Sequence, residues 1–174
     1  MIGLALFDTA IGRCGIAWAE HAIAGVQLPE VDERETRSRL ARRFTEVQDA
    51  TPAAHAQRAI DAIIALLRGE PVDLAPITLD LSGVPAFNQR VYQVTRTIPP
   101  GCTLTYGDIA SRLGSAGSAR AIGQALGRNP VPIIVPCHRV LAAGGKLGGF
   151  SAHGGGSTKQ RMLAIECGNG PLFR

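Results

Sequence analysis

The chain has 174 residues, of which 45% are hydrophobic and 18% charged, a balance typical of a globular protein with a sizeable core. Asp8 and Arg13 interrupt the apolar N-terminal stretch and no basic segment precedes it, so neither a signal peptide nor a membrane span is expected, and a cytoplasmic location is favoured. Residues 1–83 carry 8 Lys and Arg against 12 Asp and Glu, a net of −4, whereas residues 84–174 carry 10 against 2, a net of +8. This asymmetry indicates a polyanion-binding half beside an acidic half, although a basic surface without a partner would give the same balance.

Short apolar segments open the N-terminal half, and the turn residues between them predict three strands, at 2–8, 14–20 and 22–28. Two helices are predicted next, over 32–44 and 51–69, the second beginning with Thr51 as its cap and Pro52 in its first turn. A further strand is predicted over 76–83. Because the pattern then becomes helical, we expect two domains, 1–83 and 84–174.

The C-terminal half begins with a predicted helix over 85–98, which Pro99 and Pro100 end. Two shorter helices are predicted over 105–114 and 119–128, separated by a turn rich in glycine and serine. This arrangement fits a helix-turn-helix and fits a structural helical hairpin equally well. The basic charge of this half favours the DNA-binding alternative.

The second of these short helices is poor in side chains that distinguish bases. Ala119, Ala121 and Gly123 offer no donors or acceptors to base edges, so the helix is suited to close approach rather than to sequence readout. Arg120 is the exception, a long cation able to reach phosphates or to enter the base stack. An ordinary surface arginine is the alternative.

A single thiol stands in a rigid setting in the segment "NPVPIIVPCHRV", residues 129–140. Pro136 excludes a helix interior, so we expect an extended backbone that presents Cys137 and His138 to opposite sides. A direct thiol-imidazole pair is then awkward, and a water is the expected proton relay between them. A carboxylate would have to orient His138.

Glu166 is one of only two acidic residues in the C-terminal half. It ends a predicted helix over 157–166, in which Ser157 and Gln160 have the spacing of a capping box. Because the helix dipole disfavours a carboxylate at this end, Glu166 is a candidate partner for the histidine, a frayed surface terminus being the alternative.

Together, "ARAIG" (119–123), "NPVPI" (129–133), "PCHRV" (136–140) and "KQRMLAIE" (159–166) closely resemble the O6-alkylguanine-DNA alkyltransferases, the methylated-DNA-protein-cysteine methyltransferases. The likeness covers roughly residues 84–168, including "FNQRVYQV", "IPPG" and "TYGDIA" within 87–110. It implies an α+β protein with an N-terminal ribonuclease-H-like domain and a C-terminal winged helix-turn-helix domain. The implied activity is irreversible, single-turnover transfer of an alkyl group from O6-alkylguanine, flipped out of duplex DNA, to the protein's own cysteine.

The resemblance assigns roles to individual positions. Cys137 would accept the alkyl group, His138, a water and Glu166 would form the relay, Tyr106 would protonate the leaving guanine, and Asn129 would brace the turn before the cysteine. Arg120 would fill the gap left by the extruded base. The same likeness places the remaining positions at the DNA surface (Ala119, Ala121, Gly123, Arg128) or in the guanine pocket (Val140, Phe150, Ser151).

The implied partner is double-stranded DNA, bound by a monomer through the minor groove without strong sequence preference, and no cofactor is expected. The chain departs from the family pattern at Phe150, where a tyrosine is usual, and has about two extra residues before Lys159. Some relatives hold zinc in the N-terminal domain, but Cys14, His21 and His55 lack ligand-like spacing, so no metal is expected. Free thiols rather than disulfides are expected.

Two other classes of function remain open from the sequence. A lesion-binding protein without chemistry is one, although that group carries another residue at the nucleophile position. A cysteine hydrolase is the other, although it requires a directly paired histidine and an oxyanion hole.

Overall fold

The structure, a computed structural model, describes residues 1–115, 117–147 and 154–168. Its main sheet has the order β3-β2-β1-β4, in which β1 runs antiparallel to β2 and parallel to β4, and β3 is an edge strand antiparallel to β2. The strands are β1 (Ile2–Thr9), β2 (Gly12–Trp18), β3 (Ile23–Gln27) and β4 (Val47–Asp49). The first three confirm the predicted strands to within two residues.

Two helices cover the sheet, α1 (Glu33–Ala41) on one face and α2 (Ala54–Leu67) on the other. Leu40 of α1 forms a small apolar cluster with Leu4 and Ala17. The predicted helices are confirmed, but the predicted cap of the second one is wrong. Its cap position is Ala53, which makes no side-chain cap hydrogen bond.

The strand predicted over 76–83 is wrong, and β4 was not predicted. Although their apolar side chains pack against the core, residues 76–83 form only one isolated β-bridge with the sheet, between Leu79 and Ile23. Around it, Ile23 N–H donates to the Thr78 carbonyl at 2.9 Å and Asp80 N–H donates to the Ile23 carbonyl at 2.8 Å. The three residues of β4 are polar or partly exposed, so they carry none of the apolar alternation that indicates a strand.

The C-terminal half is mainly helical and contains one parallel pair of two-residue strands, β5 and β6. Its elements are α3 (Ala86–Thr95), β5 (Leu104–Thr105), α4 (Tyr106–Arg112), α5 (Ala119–Gly127), β6 (Val140–Leu141) and α6 (Gly156–Glu166). The four predicted helices are confirmed. The capping box predicted at Ser157 is wrong, because α6 begins one residue earlier and its cap position is Gly155.

The apolar core runs without interruption from the α2 side of the sheet into the C-terminal helices. Within the C-terminal half, the buried Tyr92 of α3 donates its hydroxyl to the Ala125 carbonyl of α5 at 2.6 Å. A capping box fixes the start of α4: the Thr105 side chain accepts from Asp108 N–H, and the Asp108 carboxylate accepts from Thr105 N–H. No helix in the described ranges is long and apolar enough to cross a membrane.

Candidate active site

Cys137 opens a short 3₁₀ turn, Cys137–Arg139, directly after a buried apolar segment. The residue is nearly covered, with 8% of its surface exposed. The backbone before it curls back on itself: Val135 N–H donates to the Val131 carbonyl at 2.9 Å, and Ile133 has a φ of 75°. The extended backbone predicted from the prolines is therefore wrong, because the segment forms a loop and then a turn.

Asn129 holds this loop from within. Its Nδ2 donates to the Val135 carbonyl at 2.9 Å, and its Oδ1 accepts from Val131 N–H at 3.0 Å. Its side chain also acts to lower the pKa of the Cys137 thiol, against the larger effect of burial. One amide group thus fixes both ends of the loop.

The fold brings His138 and Glu166 together from positions 28 residues apart, with Nε2 of the histidine 2.7 Å from Oε1 of the carboxylate. Both side chains are buried, with 0% and 1% of their surfaces exposed. Arg139 completes the group, donating from Nε to Oε2 at 2.9 Å and from Nη2 to Oε1 at 2.8 Å. Its Nη1 donates to the Ile98 carbonyl at 2.7 Å, which anchors the arginine to the segment that follows α3.

The protonation states of this group follow from its burial and hydrogen bonds. Burial opposes ionisation of Glu166, but hydrogen bonds and charge from His138 and Arg139 outweigh it and lower the pKa of the carboxyl to about 2. Burial lowers the pKa of His138 against the opposing effect of Glu166. A neutral imidazole beside an ionised carboxylate must carry its proton on Nε2, so Nδ1 is an acceptor. Among the described residues, Nδ1 has no hydrogen-bond partner.

The thiol has two polar neighbours that favour its ionised form. Burial raises the pKa of Cys137, while the hydrogen bond from Asn129 and the charge of Lys159 oppose this effect. Lys159 is itself buried and donates from Nζ to the Val140 carbonyl at 2.5 Å.

Lys159 and Arg139 were missed by the sequence analysis. Arg139 directly follows the Cys-His pair in a half with only two acidic residues, and that adjacency was the available signal. Lys159 gave none, because a lysine in the first turn of a helix is usually solvated.

Tyr106 is the first residue of α4 and lies partly buried between that helix and α5. Burial raises its pKa, and the charge of Cys137 acts in the same direction. Its ring covers Gly123, where an added Cβ would lie 3.9 Å from the Tyr106 Cε1.

The exposed side of α5 carries the remaining basic and small residues singled out from the sequence. Ala119, Arg120 and Ala121 are exposed at its start, and Arg128 is exposed at its end. Ile122, Ala125 and Leu126 form its buried side.

Of the three expected pocket positions, the structure describes one. Val140 is buried, with its carbonyl bonded to Lys159. Phe150 and Ser151 lie outside the described residues. A cavity of about 300 Å³ reaches Cys137 and is also lined by Gln27, Leu28, Arg39, Arg43, Leu126, Gly127, Arg128, Asn129, Pro130 and Pro132.

The other cysteines differ from Cys137 in their surroundings. All four are free thiols, with Cys14 buried and Cys102 exposed. Burial raises the pKa of Cys14 to about 12. Within the ranges that the structure covers, no group of three or more His, Cys, Asp or Glu side chains could hold a metal ion.

Comparison with known proteins links this site to DNA repair. Residues 86–168 match the family model described as "6-O-methylguanine DNA methyltransferase, DNA binding domain". The methylated-DNA–protein-cysteine methyltransferase of Mycolicibacterium paratuberculosis is 39% identical over 98% of this chain and 96% of its own. The one from Methanothermobacter thermautotrophicus is 34% identical over 87% of this chain and 78% of its own.

Solved structures show the same mixed α+β fold over nearly the whole chain. The crystal structure of Mycobacterium tuberculosis OGT in complex with DNA superposes with a TM-score of 0.75 at 34% identity. The match covers 97% of this chain and 95% of that one. The O6-methylguanine-DNA methyltransferase of Pyrococcus kodakaraensis superposes with a TM-score of 0.71 at 28% identity. The match covers 95% of this chain and 99% of that one. With similarity along its full length and the buried thiol within the matched region, the chain belongs to the methylated-DNA–protein-cysteine methyltransferase family.

Proposed function

We propose that this protein repairs O6-alkylguanine in duplex DNA by flipping the damaged nucleotide out of the stack and transferring its alkyl group to Cys137. The observation that carries the proposal is the buried constellation around the thiol. Cys137 lies in a cavity that Asn129 also lines, and it is followed in sequence by His138, which Glu166 orients. Family membership supports the reaction class.

In the proposed reaction, the thiol proton passes through a water to Nδ1 of His138. The Nε2 proton already bonds to Glu166, so Nδ1 is the atom that can accept. The thiolate attacks the alkyl carbon, a C–S bond forms and the bond from that carbon to O6 breaks. Tyr106 donates a proton to the departing guanine, and the tyrosinate regains a proton from the His138 imidazolium through water, so that in net terms hydrogen from the thiol replaces the alkyl group on the base.

The DNA-facing surface in this proposal is the exposed side of α5. Ala119, Ala121 and Gly123 allow close approach to the minor groove without base readout, and Arg120 enters the stack in place of the flipped nucleotide. Arg128 contacts phosphate. The net charge of +8 over residues 84–174 supports DNA binding without strong sequence preference.

The architecture proposed for this task has two domains, a ribonuclease-H-like one over 1–83 and a winged helix-turn-helix one over 84–174. The α4–α5 pair supports the second assignment, since two short helices meet across a tight turn.

We place Val140, Phe150 and Ser151 around the guanine. The working form is a cytoplasmic monomer, and each molecule acts once because the thioether is not cleaved.

Peptide mapping tests the proposal. Trypsin releases residues 129–139, which contain Cys137 and no other cysteine. After incubation with O6-methylguanine duplex, this peptide should gain one methyl group, at no more than one per chain. Peptides with the other cysteines should stay unmodified.

Variants separate transfer from binding. Cys137→Ser should abolish transfer and keep DNA binding, because a hydroxyl occupies nearly the same space but is a far weaker nucleophile near neutral pH. Cys102→Ser, at an exposed thiol, is the matched control and should react like the unmodified protein. Methyl groups on another cysteine, or repeated turnover, would contradict the mechanism, and binding of the lesion without transfer would indicate a lesion-binding protein.

A further inference from the structure

An arginine from the N-terminal half bonds directly to the loop that precedes the thiol. Arg43, two residues beyond α1, donates from Nη1 to the Pro130 carbonyl at 2.9 Å and to the Val26 carbonyl at 3.1 Å. Its Nη2 donates to Oε1 of Gln27 at 2.5 Å. The Pro130 carbonyl also accepts from Val26 N–H at 2.9 Å. One guanidinium therefore joins the edge strand β3 to the loop.

The point of attachment is adjacent to the residue that holds the loop from within. Pro130 follows Asn129, whose amide group bonds the Val131 N–H and the Val135 carbonyl. The Val135 carbonyl also accepts from Cys137 N–H at 2.7 Å, so a continuous series of contacts leads from Arg43 through the Pro130 backbone and Asn129 to the backbone of the nucleophile. Arg43 also lines the cavity that reaches Cys137.

The loop requires such external support. Ile133 is a buried β-branched residue with a φ of 75°, in the left-handed region that favours glycine. A backbone conformation of this kind persists only where surrounding contacts over-determine it. The hydrogen bonds of Asn129 act from within the loop, and those of Arg43 and Val26 act from the N-terminal half.

We propose that Arg43 is a positioning residue for alkyl transfer, holding the 129–136 loop so that Asn129 and the Cys137 sulfur keep their reactive arrangement. This inference rests on the proposed function. It assigns to residues 1–83 a part in the reaction, because Arg43 and the Val26 N–H of β3 both bond the Pro130 carbonyl of the loop that positions the thiol. Arg43 belongs to neither apolar cluster, so its substitution should leave the core packing intact.

The test uses the full chain with Arg43→Ala, Arg43→Lys and the matched control Arg42→Ala. Arg42 is the adjacent exposed arginine, and its side chain bonds only Ser38 and Glu35 in the described structure. Alkyl transfer is followed with a free O6-alkylguanine base, which requires no DNA contact, and with a lesion duplex. Because each molecule reacts once, the final amount of alkylated protein gives the number of active molecules. The transfer rate is then expressed per active molecule.

We expect Arg43→Ala to lower the maximum transfer rate about tenfold on both substrates with an unchanged endpoint, since small misplacements of a reacting group cost one to two orders of magnitude. Arg43→Lys should recover part of the rate. A lysine ammonium can make one of the hydrogen bonds of Arg43, but it lacks the planar pair of nitrogens with which the guanidinium bonds several acceptors at once. Arg42→Ala should match the original protein. Adding Arg43→Ala to Asn129→Ala should lower the rate little further, because both act through one series of contacts.

Three outcomes would overturn the inference: equal rates for the Arg43 and Arg42 variants, a loss confined to duplex DNA, which would make Arg43 a DNA contact, or a loss explained by a smaller endpoint. Full additivity with Asn129→Ala would also contradict it. Failure of the original protein to alkylate Cys137 would instead refute the proposed function, so the two can be told apart.

Discussion

Substituting Glu166 by glutamine tests the buried group behind the thiol. The change keeps the shape of the side chain but removes the charge that accepts from His138 and Arg139. Arg139, 5% exposed, would then be a buried cation facing a neutral amide. Removing one partner of a buried ion pair costs about 3–5 kcal/mol, so the free energy of unfolding at pH 7 should fall by about that amount.

The pH dependence of stability gives a second estimate of what the ionised Glu166 contributes to the free energy of unfolding. In the folded protein the pKa of Glu166 is lowered to about 2 from an ordinary value of 4.5. Between those values the unfolded chain binds a proton that the folded chain does not, so stability falls as the pH decreases through this window. At about 1.4 kcal/mol per pH unit, the loss amounts to about 3 kcal/mol. Since burial lowers the pKa of His138, its contribution also falls as the pH drops below 6.5, and it falls further in the variant, which lacks the Glu166 charge that opposes this lowering.

Urea denaturation of both proteins between pH 7 and pH 2 measures these terms. The Glu166 contribution to the stability difference should shrink by about 3 kcal/mol between pH 4.5 and pH 2. Asp49→Asn, which breaks the exposed Arg37–Asp49 pair, is the control and should cost no more than about 1 kcal/mol. A difference below about 1 kcal/mol at pH 7, or one that does not change with pH, would refute the assignment of an ionised, structurally paired Glu166.

Three further predictions concern the DNA surface and the packing beneath it. Arg120→Ala should slow repair of a lesion duplex far more than reaction with the free alkylated base, because only the duplex requires flipping; equal losses in single-turnover assays would exclude a wedge role. Affinity for unmodified duplex, measured by fluorescence anisotropy, should fall at least about tenfold between about 50 and 200 mM salt, and a flat profile would argue against phosphate contacts. Tyr92→Phe should lower the unfolding free energy by about 1 kcal/mol, because the Ala125 carbonyl loses its buried donor at 2.6 Å; chemical denaturation should show this, and an unchanged midpoint would mean that the bond contributes nothing.

Local patterns predicted most of the elements, and their failures have physical reasons. Apolar segments separated by turns located β1, β2 and β3, and helical periodicity located α3 to α6. Residues 76–83 have a strand-like composition, but the chain there meets the sheet at one bridge only, because pairing depends on a partner edge that composition does not reveal. The caps expected at Thr51 and Ser157 failed because the helices begin after Ala53 and Gly155, and neither residue makes a side-chain cap hydrogen bond.

The sequence by itself determined which residue types are available to the site: one thiol in a proline-rich segment, a histidine beside it, two acidic residues in a basic half, and a helix of small residues with one arginine at its start. These are properties of composition and spacing, so they need no fold to be recognised. Only the tertiary structure decided that Glu166 meets His138 and Arg139, that Lys159 is buried and bonds the Val140 carbonyl, and that Arg43 bonds Pro130 from 87 residues away. Contacts at such separations depend on how helices and strands pack against one another, and no local pattern encodes them because side chains far apart along the chain are brought together only when the core is buried.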